Sequence, residues 1–224
     1  MLPSAAVALT FALAALPPGA SADPSRVAAR VNGVAIAAER AERWFEDWLQ
    51  EKGRHVASIR SPAAYESLYR EALEKLVEAE LLWQEADRRK IHASKAEVDA
   101  AIAEVRSAFK APGAFERRLE RSGFTAESYA EYLRRQLSIR RLVERDVVRK
   151  TSVSDAEVHA YYRENAARFT RPGKGEGERE QVPESEVQGR IRQALLAEKA
   201  QAALDRKVQD LRERGRVEIV SSRR

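Results

Sequence analysis

The chain has 224 residues, of which 33% are charged, and a formal net charge of +5. This length suits one domain or two small ones, and the absence of cysteine excludes disulfides, thiolate metal sites and a cysteine nucleophile within the chain. Alanine, glutamate, arginine and leucine dominate over 10 glycines and 8 prolines, which favours helices and argues against an all-β fold.

Basic and acidic residues alternate along the chain, as in Glu74, Lys75 and Glu78. Because proteins that bind nucleic acids cluster their basic residues on one face or arm, this pattern indicates solvated helix faces, and we expect no nucleic-acid partner. The histidines are His55, His92 and His159. Since they lie far apart in the sequence, we also expect no metal site.

Residues 1–22 carry no charge and have the order of an export signal. A largely apolar run of 12 residues from Ala5 to Leu16 is followed by a Pro-Pro-Gly breaker and by Ala20-Ser21-Ala22, which matches a cleavage site. Twelve residues are too few to span a bilayer, which takes about 20. We predict a signal peptide cleaved after Ala22 and a periplasmic protein; the alternative is an uncleaved anchor.

Both ends of the predicted mature chain contain short strand signals. Val27, Ala29 and Val31 alternate with other residues, Asn32-Gly33 is a strong tight-turn signal, and 34–36 continues in extended form. Residues 217–220 have the same character. Because a lone strand of this length needs a partner, we predict that the two ends meet in one small sheet.

The rest of the chain has the periodicity of amphipathic helices. One helix is predicted to end near Gly53 and another to run from about 63 to 89. Two capping boxes, Ser94 with Glu97 and Ser154 with Glu157, predict two further helix starts, and the second helix is expected to reach Phe169. Further helix boundaries are predicted at Pro112-Gly113, Gly123 and Thr125. A last helix is predicted from about 185 to 214.

The order and spacing of several of these motifs resemble SurA-type periplasmic chaperones and peptidyl-prolyl isomerases. The segments that carry the resemblance are Val31-Asn32-Gly33 with the following helix, 76–86, 91–98, 123–137 and 153–169. Residues 185–220 are similar to the C-terminal helix and strand that complete the chaperone module of that family. The resemblance implies a mainly α, multi-helix chaperone module with a small sheet formed by the N- and C-terminal strands.

The resemblance also implies a domain organisation. The signal peptide (1–22) precedes a SurA N-like helical domain (23–170), a flexible linker or loop (171–184), and a C-terminal helix and strand (185–224) that complete the same domain. In isomerase members of the family, a parvulin domain lies between the positions of Phe169 and the last helix. Here residues 170–186 are only 17 in number and rich in glycine, proline and charge, whereas a domain needs at least about 50 residues.

No residue of this chain corresponds to the catalytic residues of the parvulin domain, so we expect no isomerase activity, although family membership can bring that label. No nucleotide-binding, nucleophile-elbow or zinc-protease motif occurs in the sequence. We expect no cofactor. Glu78, Glu80 and Glu85 share a helix, and Glu80 lies beside the apolar stripe. A paired-carboxylate site is conceivable there; the alternative is that Glu80 pairs with an arginine across the bundle or faces water.

The aromatic residues are the more informative candidates for binding. Unfolded chains are bound by exposed apolar surface, and aromatic side chains supply contact area at low entropic cost. The candidate residues are Trp44, Phe45, Trp48, Trp83, Phe109, Phe115 and Tyr129. We predict that some of them line a groove for unfolded proteins, above all around Trp44 and Trp48; the alternative is that each is an ordinary core residue.

The leading functional hypothesis is an ATP-independent periplasmic chaperone that holds unfolded exported or outer-membrane proteins. Its partners would be extended polypeptides and, in addition, the outer-membrane assembly machinery. One alternative is a dedicated assembly or secretion factor for a single envelope partner. The other is a peptidyl-prolyl isomerase that acts through an unrecognised site.

Overall fold

The computed structural model describes residues 27–173 and 178–220. The predicted signal peptide lies outside these residues. Within them the fold is mainly helical and has a small sheet built from strands near both ends, as predicted. The helices are α1 (Ala38–Glu51), α2 (Pro62–Arg88), α3 (Lys95–Ser107), α4 (Ala114–Arg121), α5 (Ala126–Asp146), α6 (Asp155–Glu164) and α7 (Glu184–Arg214). The strands are β1 (Val27–Val31), β2 (Val34–Ala37), β3 (Thr170–Pro172), β4 (Arg179–Gln181) and β5 (Val217–Ile219).

The described residues fall into two compact units. The larger unit contains residues 27–142 and 208–220, and the smaller unit contains residues 143–207. The domain boundaries predicted at residues 22, 170 and 184 stay a prediction. No helix in the described part of the chain is both long enough and apolar enough to cross a membrane.

The sheet of the larger unit has the strand order β2-β1-β5, with both pairings antiparallel. Val31 lies opposite Val34 on one side and opposite Val217 on the other. The turn between β1 and β2 places Asn32 at φ 51° and Gly33 at φ 84°, the left-handed region that a two-residue hairpin of this kind requires. The predicted meeting of the two ends of the chain is therefore confirmed.

Helices α1 and α2 cover this sheet and bury its apolar face. Ala29, Val31 and Ile36 are fully buried there, together with Leu76 and Val77 of α2. The boundaries of the helices follow local signals. The side-chain oxygens of Ser94 and Ser154 accept from the backbone N–H three residues on, and Glu97 and Glu157 complete both predicted capping boxes. Gly123 has φ 74° after the end of α4, the position predicted for it.

The smaller unit is built on α6, the first part of α7 and the β3–β4 ladder. Its core consists of Val158, Val187 and Ile191. Helix α6 ends at Glu164, five residues before the predicted end at Phe169. At this end the Tyr161 carbonyl accepts from both the backbone N–H of Asn165 at 3.0 Å and its side-chain Nδ2 at 2.9 Å, and the chain continues in a short 3-10 turn, Ala166–Arg168.

The segment predicted to be a linker contains paired strands. Thr170, Arg171 and Pro172 lie opposite Gln181, Glu180 and Arg179 in an antiparallel ladder. Composition alone did not indicate it, because the ladder depends on contacts to side chains outside the segment. The Tyr162 hydroxyl, for example, donates to the carbonyl of Val182 at 2.7 Å.

Candidate functional site

The seven aromatic residues predicted from the sequence lie in three separate places and do not form one surface. Four of them are buried: Phe45 (1% exposed), Trp48 (8%), Phe115 (2%) and Tyr129 (1%). Trp44, Trp83 and Phe109 are partly buried. The buried four are core residues in this structure, so only the other three have surface that a bound chain could contact directly.

The first group lies between α1 and α2. The ring of Phe45 makes edge contacts with Tyr65 at 5.2 Å and Tyr69 at 5.5 Å, and the Trp44 indole N–H donates to the carbonyl of Ala72 at 2.9 Å. Tyr65 is 37% exposed and was not a sequence candidate. The spacing of Trp44, Phe45 and Trp48 therefore reflects the packing of α1 on α2. The exposed aromatic residue of this group is Tyr65, which belongs to α2.

The second group joins α3, α4 and α5. Phe115 lies 5.8 Å from Phe109 and 5.8 Å from Tyr129, and Phe124 lies 5.4 Å from Tyr129. Burial raises the pKa of Tyr129 to about 12. This cluster packs three helices together, and Phe109 keeps a partly exposed ring at its edge.

Trp83 belongs to a third place, where an aromatic ring lies beside charged groups. It stacks with His92 at 5.9 Å, and the Arg135 guanidinium lies 4.9 Å from the centre of its ring. One turn earlier on the same helix, Glu80 is 3% exposed and lies 3.7 Å from Arg135. Arg40 of α1 is the second cation here, at 3.8 Å from Glu80.

Glu80 is thus the shared anion of two arginines on different helices. Its Oε1 also accepts from Gln84 Nε2 at 3.0 Å. Burial lowers the pKa of Arg40, and the negative charge of Glu80 opposes this effect most strongly. Glu78 pairs instead with Lys75 at 2.9 Å, and Glu85 pairs with Arg88 at 2.9 Å. The three glutamates therefore do not form a carboxylate pair, and Glu80 pairs with arginines across the bundle, as the alternative expected.

The smaller unit has a pocket that sequence reasoning missed. Its volume is about 440 Å³, and it is lined by Tyr161, Arg168, Phe169, Thr170, Val182, Val187, Arg190, Ile191 and Ala194. The apolar lining residues Tyr161, Phe169 and Val187 were visible in the sequence as helix and loop hydrophobics. The pocket itself could not be predicted, because one side of it is the β3–β4 ladder.

Within the described part of the chain, no group of three or more histidine, aspartate and glutamate side chains could hold a metal ion. His92 contacts Asp87 at 2.9 Å, and His159 contacts Glu184 at 2.7 Å. His92 lies in the loop between α2 and α3 and pairs with the end of α2, whereas His159 of α6 pairs with the first residue of α7.

The fold places this chain in a known structural class. It is similar to a solved structure from a study of two structurally related SurA-like chaperones of Campylobacter jejuni, with a TM-score of 0.51 over 88% of this chain and all of the other chain. The two sequences are 13% identical, so the similarity is one of fold.

The family is defined by sequence. A model of the SurA-like N-terminal domain matches residues 3–143, and the chain therefore belongs to that family. Proteins named chaperone SurA from Bordetella pertussis and Bordetella bronchiseptica are each 36% identical to it over 117 residues. The matched region is 52% of this chain and 21% of either relative, so the similarity spans about a fifth of their length.

Proposed function

We propose that this protein is a periplasmic chaperone that binds unfolded or extended segments of exported proteins, including outer-membrane proteins, and holds them without ATP. The observation that carries the proposal is the match of residues 3–143 to the SurA-like N-terminal domain family. The relatives named chaperone SurA support it further. Extended polypeptides, and in addition the outer-membrane assembly machinery, are the proposed partners.

The surface features of the described residues are compatible with weak binding of varied chains. Trp83 with Arg135 and the pocket of the smaller unit each combine apolar area with nearby cations, and Tyr65 adds an exposed aromatic ring. Several small sites of this kind give affinity through multivalency, and release then needs no hydrolysis. Trp44, Trp83 and Phe109 stay candidates for contact with a bound chain because they are partly exposed.

The test is aggregation of an outer-membrane protein that is diluted from denaturant, followed by light scattering. The chaperone should be purified from the periplasm of a Gram-negative host, and its intact mass should correspond to a chain that begins at Asp23. We expect suppression of scattering at near-stoichiometric ratios, with and without ATP. Unchanged scattering with a folded, helical protein would contradict the proposal and favour a dedicated factor for one partner, which a pull-down from envelope extracts would then identify.

We propose further that the protein is not an isomerase. The support is that residues 170–186 are 17 in number, too few for a catalytic domain at that place in the chain. In a proline-peptide isomerisation assay we expect the uncatalysed rate at every protein concentration. A rate that rises in proportion to the protein concentration would contradict this proposal.

A further inference from the structure

The pocket of the smaller unit is large enough to take a large apolar side chain, and its lining combines apolar residues with two arginines. Its volume is about 440 Å³, within the range of pockets that bind small ligands. Tyr161, Phe169 and Val182 line it from α6 and the β3–β4 ladder, and Val187 and Ile191 line it from α7. Because Val187 and Ile191 are also core residues, the apolar base of the pocket is a fixed part of the unit.

The side of the pocket formed by the ladder is tied down by hydrogen bonds. The Tyr162 hydroxyl donates to the Val182 carbonyl at 2.7 Å, and Gln181 Nε2 donates to the Tyr162 hydroxyl at 3.2 Å. Arg171 connects the ladder to α7 through Glu186, with Nη1 to Oε2 at 3.1 Å. A pocket whose sides are already in place costs little ordering entropy when it is filled.

Two exposed arginines at the pocket have no ion-pair partner among the residues that the structure describes. Among the described residues neither Arg168 nor Arg190 forms an ion pair, and the hydrogen bond of Arg168 goes to the neutral side chain of Asn165 at 3.4 Å. The nearby Arg171 and Arg192, by contrast, pair with glutamate or aspartate. The open pocket therefore presents two arginines that pair with no acid among the described residues, beside apolar side chains, and this combination complements a carboxylate next to an apolar side chain.

The ladder also offers backbone groups to an occupant. The Phe169 carbonyl accepts from Val182 N, and Gly173 N donates to the Glu178 carbonyl, both at 2.8 Å. In antiparallel pairing such bonded pairs alternate with non-bonded pairs, so the backbone N–H and C=O of Thr170 point away from β4. Thr170 lines the pocket, and no other strand within the described residues pairs with this edge of β3. An extended segment can add to such an edge.

We propose that this pocket binds an extended internal segment of a client chain that carries an aromatic or branched apolar side chain and, two positions away, an aspartate or glutamate. In an extended strand, side chains two positions apart lie on the same face at roughly 7 Å. One segment can therefore fill the pocket, meet Arg168 or Arg190, and pair with Thr170. The inference rests on the proposed function and names the substrate class of one of its sites.

The test is fluorescence anisotropy of a labelled nine-residue peptide, blocked at both ends, with one phenylalanine and an aspartate two positions away. Arg190→Glu should weaken binding by about tenfold, because it replaces attraction by repulsion. Ala194→Phe should abolish binding by filling the pocket from the exposed side of α7. Arg206→Glu is the matched control, since it makes the same charge change on the same helix away from the pocket, and binding should stay within about twofold.

The inference would be overturned if the wild-type protein failed to bind the blocked peptide. It would also be overturned if Arg190→Glu and Arg206→Glu lost equal affinity, or if Ala194→Phe bound the peptide as tightly as the wild type. A peptide with lysine in place of aspartate should bind about tenfold more weakly. Preferential binding of a peptide that ends in phenylalanine with a free carboxylate would overturn the choice of an internal segment.

The aggregation assay separates this inference from the proposed function. A protein that suppresses aggregation but does not bind the blocked peptide would overturn the pocket inference and leave the chaperone role in place. Peptide binding that follows the expected variant pattern, without any suppression of aggregation, would support the pocket and contradict the chaperone role. Circular dichroism of each variant establishes that the helices are intact before affinity is compared.

Discussion

In the larger unit, the buried carboxylate of Glu80 pairs with two arginines, Arg40 and Arg135. It is 3% exposed, and the side chains of Arg40 and Arg135 are only 28% and 29% exposed. A buried pair adds little over apolar packing, but removing one partner leaves the others without compensation in a poorly solvated place. Glu80 therefore connects α2 with α1 and α5, and its role is in packing the helices.

We expect Glu80→Gln to lower the free energy of unfolding by about 3 kcal/mol, because Arg40 and Arg135 lose their shared anion. Urea denaturation followed by circular dichroism measures the change. Glu78→Gln is the control, since Glu78 lies on the same helix and is 29% exposed against 3% for Glu80, in a pair with the exposed Lys75, and it should change stability by less than about 0.5 kcal/mol. Equal effects of the two substitutions would show that the buried network does not stabilise the fold.

Asp47 gives a second expectation at this scale, which concerns pH. Burial first, and then Glu46, raise the pKa of Asp47 from 3.8 to about 6, while Arg118 and Arg43 act against the shift. A raised carboxyl pKa means that the folded state binds the proton more tightly than the unfolded state does. The ionised carboxylate is therefore unfavourable in the folded state at neutral pH, and this disadvantage disappears as the pH falls from about 6 to 4.

Asp47→Asn should accordingly stabilise the protein at pH 8 relative to the wild type, and the advantage should shrink between pH 6 and pH 4. Thermal unfolding of both proteins at a series of pH values measures the difference. Glu104→Gln removes an exposed carboxyl from α3 and serves as the control. A difference between Asp47→Asn and wild type that is constant across this pH range would contradict the assigned shift.

At the scale of secondary-structure elements, the starts of α3 and α6 were predictable because a capping box is a local interaction. Ser94 and Glu97 exchange their hydrogen bonds within four residues, and the serine side chain and backbone hold the pKa of Glu97 below its usual value. The β3–β4 ladder was not predictable for the opposite reason. Its strands have three residues each, and they are supported by Tyr162 and Glu186, which lie outside the segment.

Ser94→Ala tests the contribution of one cap. It should lower the free energy of unfolding by about 1 kcal/mol, because the backbone N–H of Glu97 at the start of α3 loses its side-chain acceptor. Ser107→Ala at the other end of the same helix, where the hydroxyl donates to the carbonyl of Glu104, is the matched control and should have a smaller effect. A melting temperature for Ser94→Ala no lower than that of the control would count against the cap.

At the scale of the whole molecule, the sequence predicted that β5 would close the sheet, because short strands need partners. It did not predict the side-chain hydrogen bonds that hold β5 in place. Nothing in the sequence indicated that Asn32 would be the connecting residue. Its side-chain Oδ1 accepts from Arg216 N at 2.7 Å, its Nδ2 donates to Gln84 at 2.8 Å, and its own N–H donates to the Arg216 carbonyl at 2.8 Å. One turn residue thus joins residues 184 positions apart.

Asn32→Gly tests this connection without straining the backbone, since glycine readily adopts the positive φ of 51° found at Asn32. The substitution removes two side-chain hydrogen bonds at about 1 kcal/mol each, so stability should fall by about 2 kcal/mol. The amides of β5 should lose hydrogen-exchange protection more than those of α2, because β5 is an edge strand that pairs with β1 alone among the described strands. A uniform loss of protection across the larger unit would instead mean that β5 does not open independently of the helices.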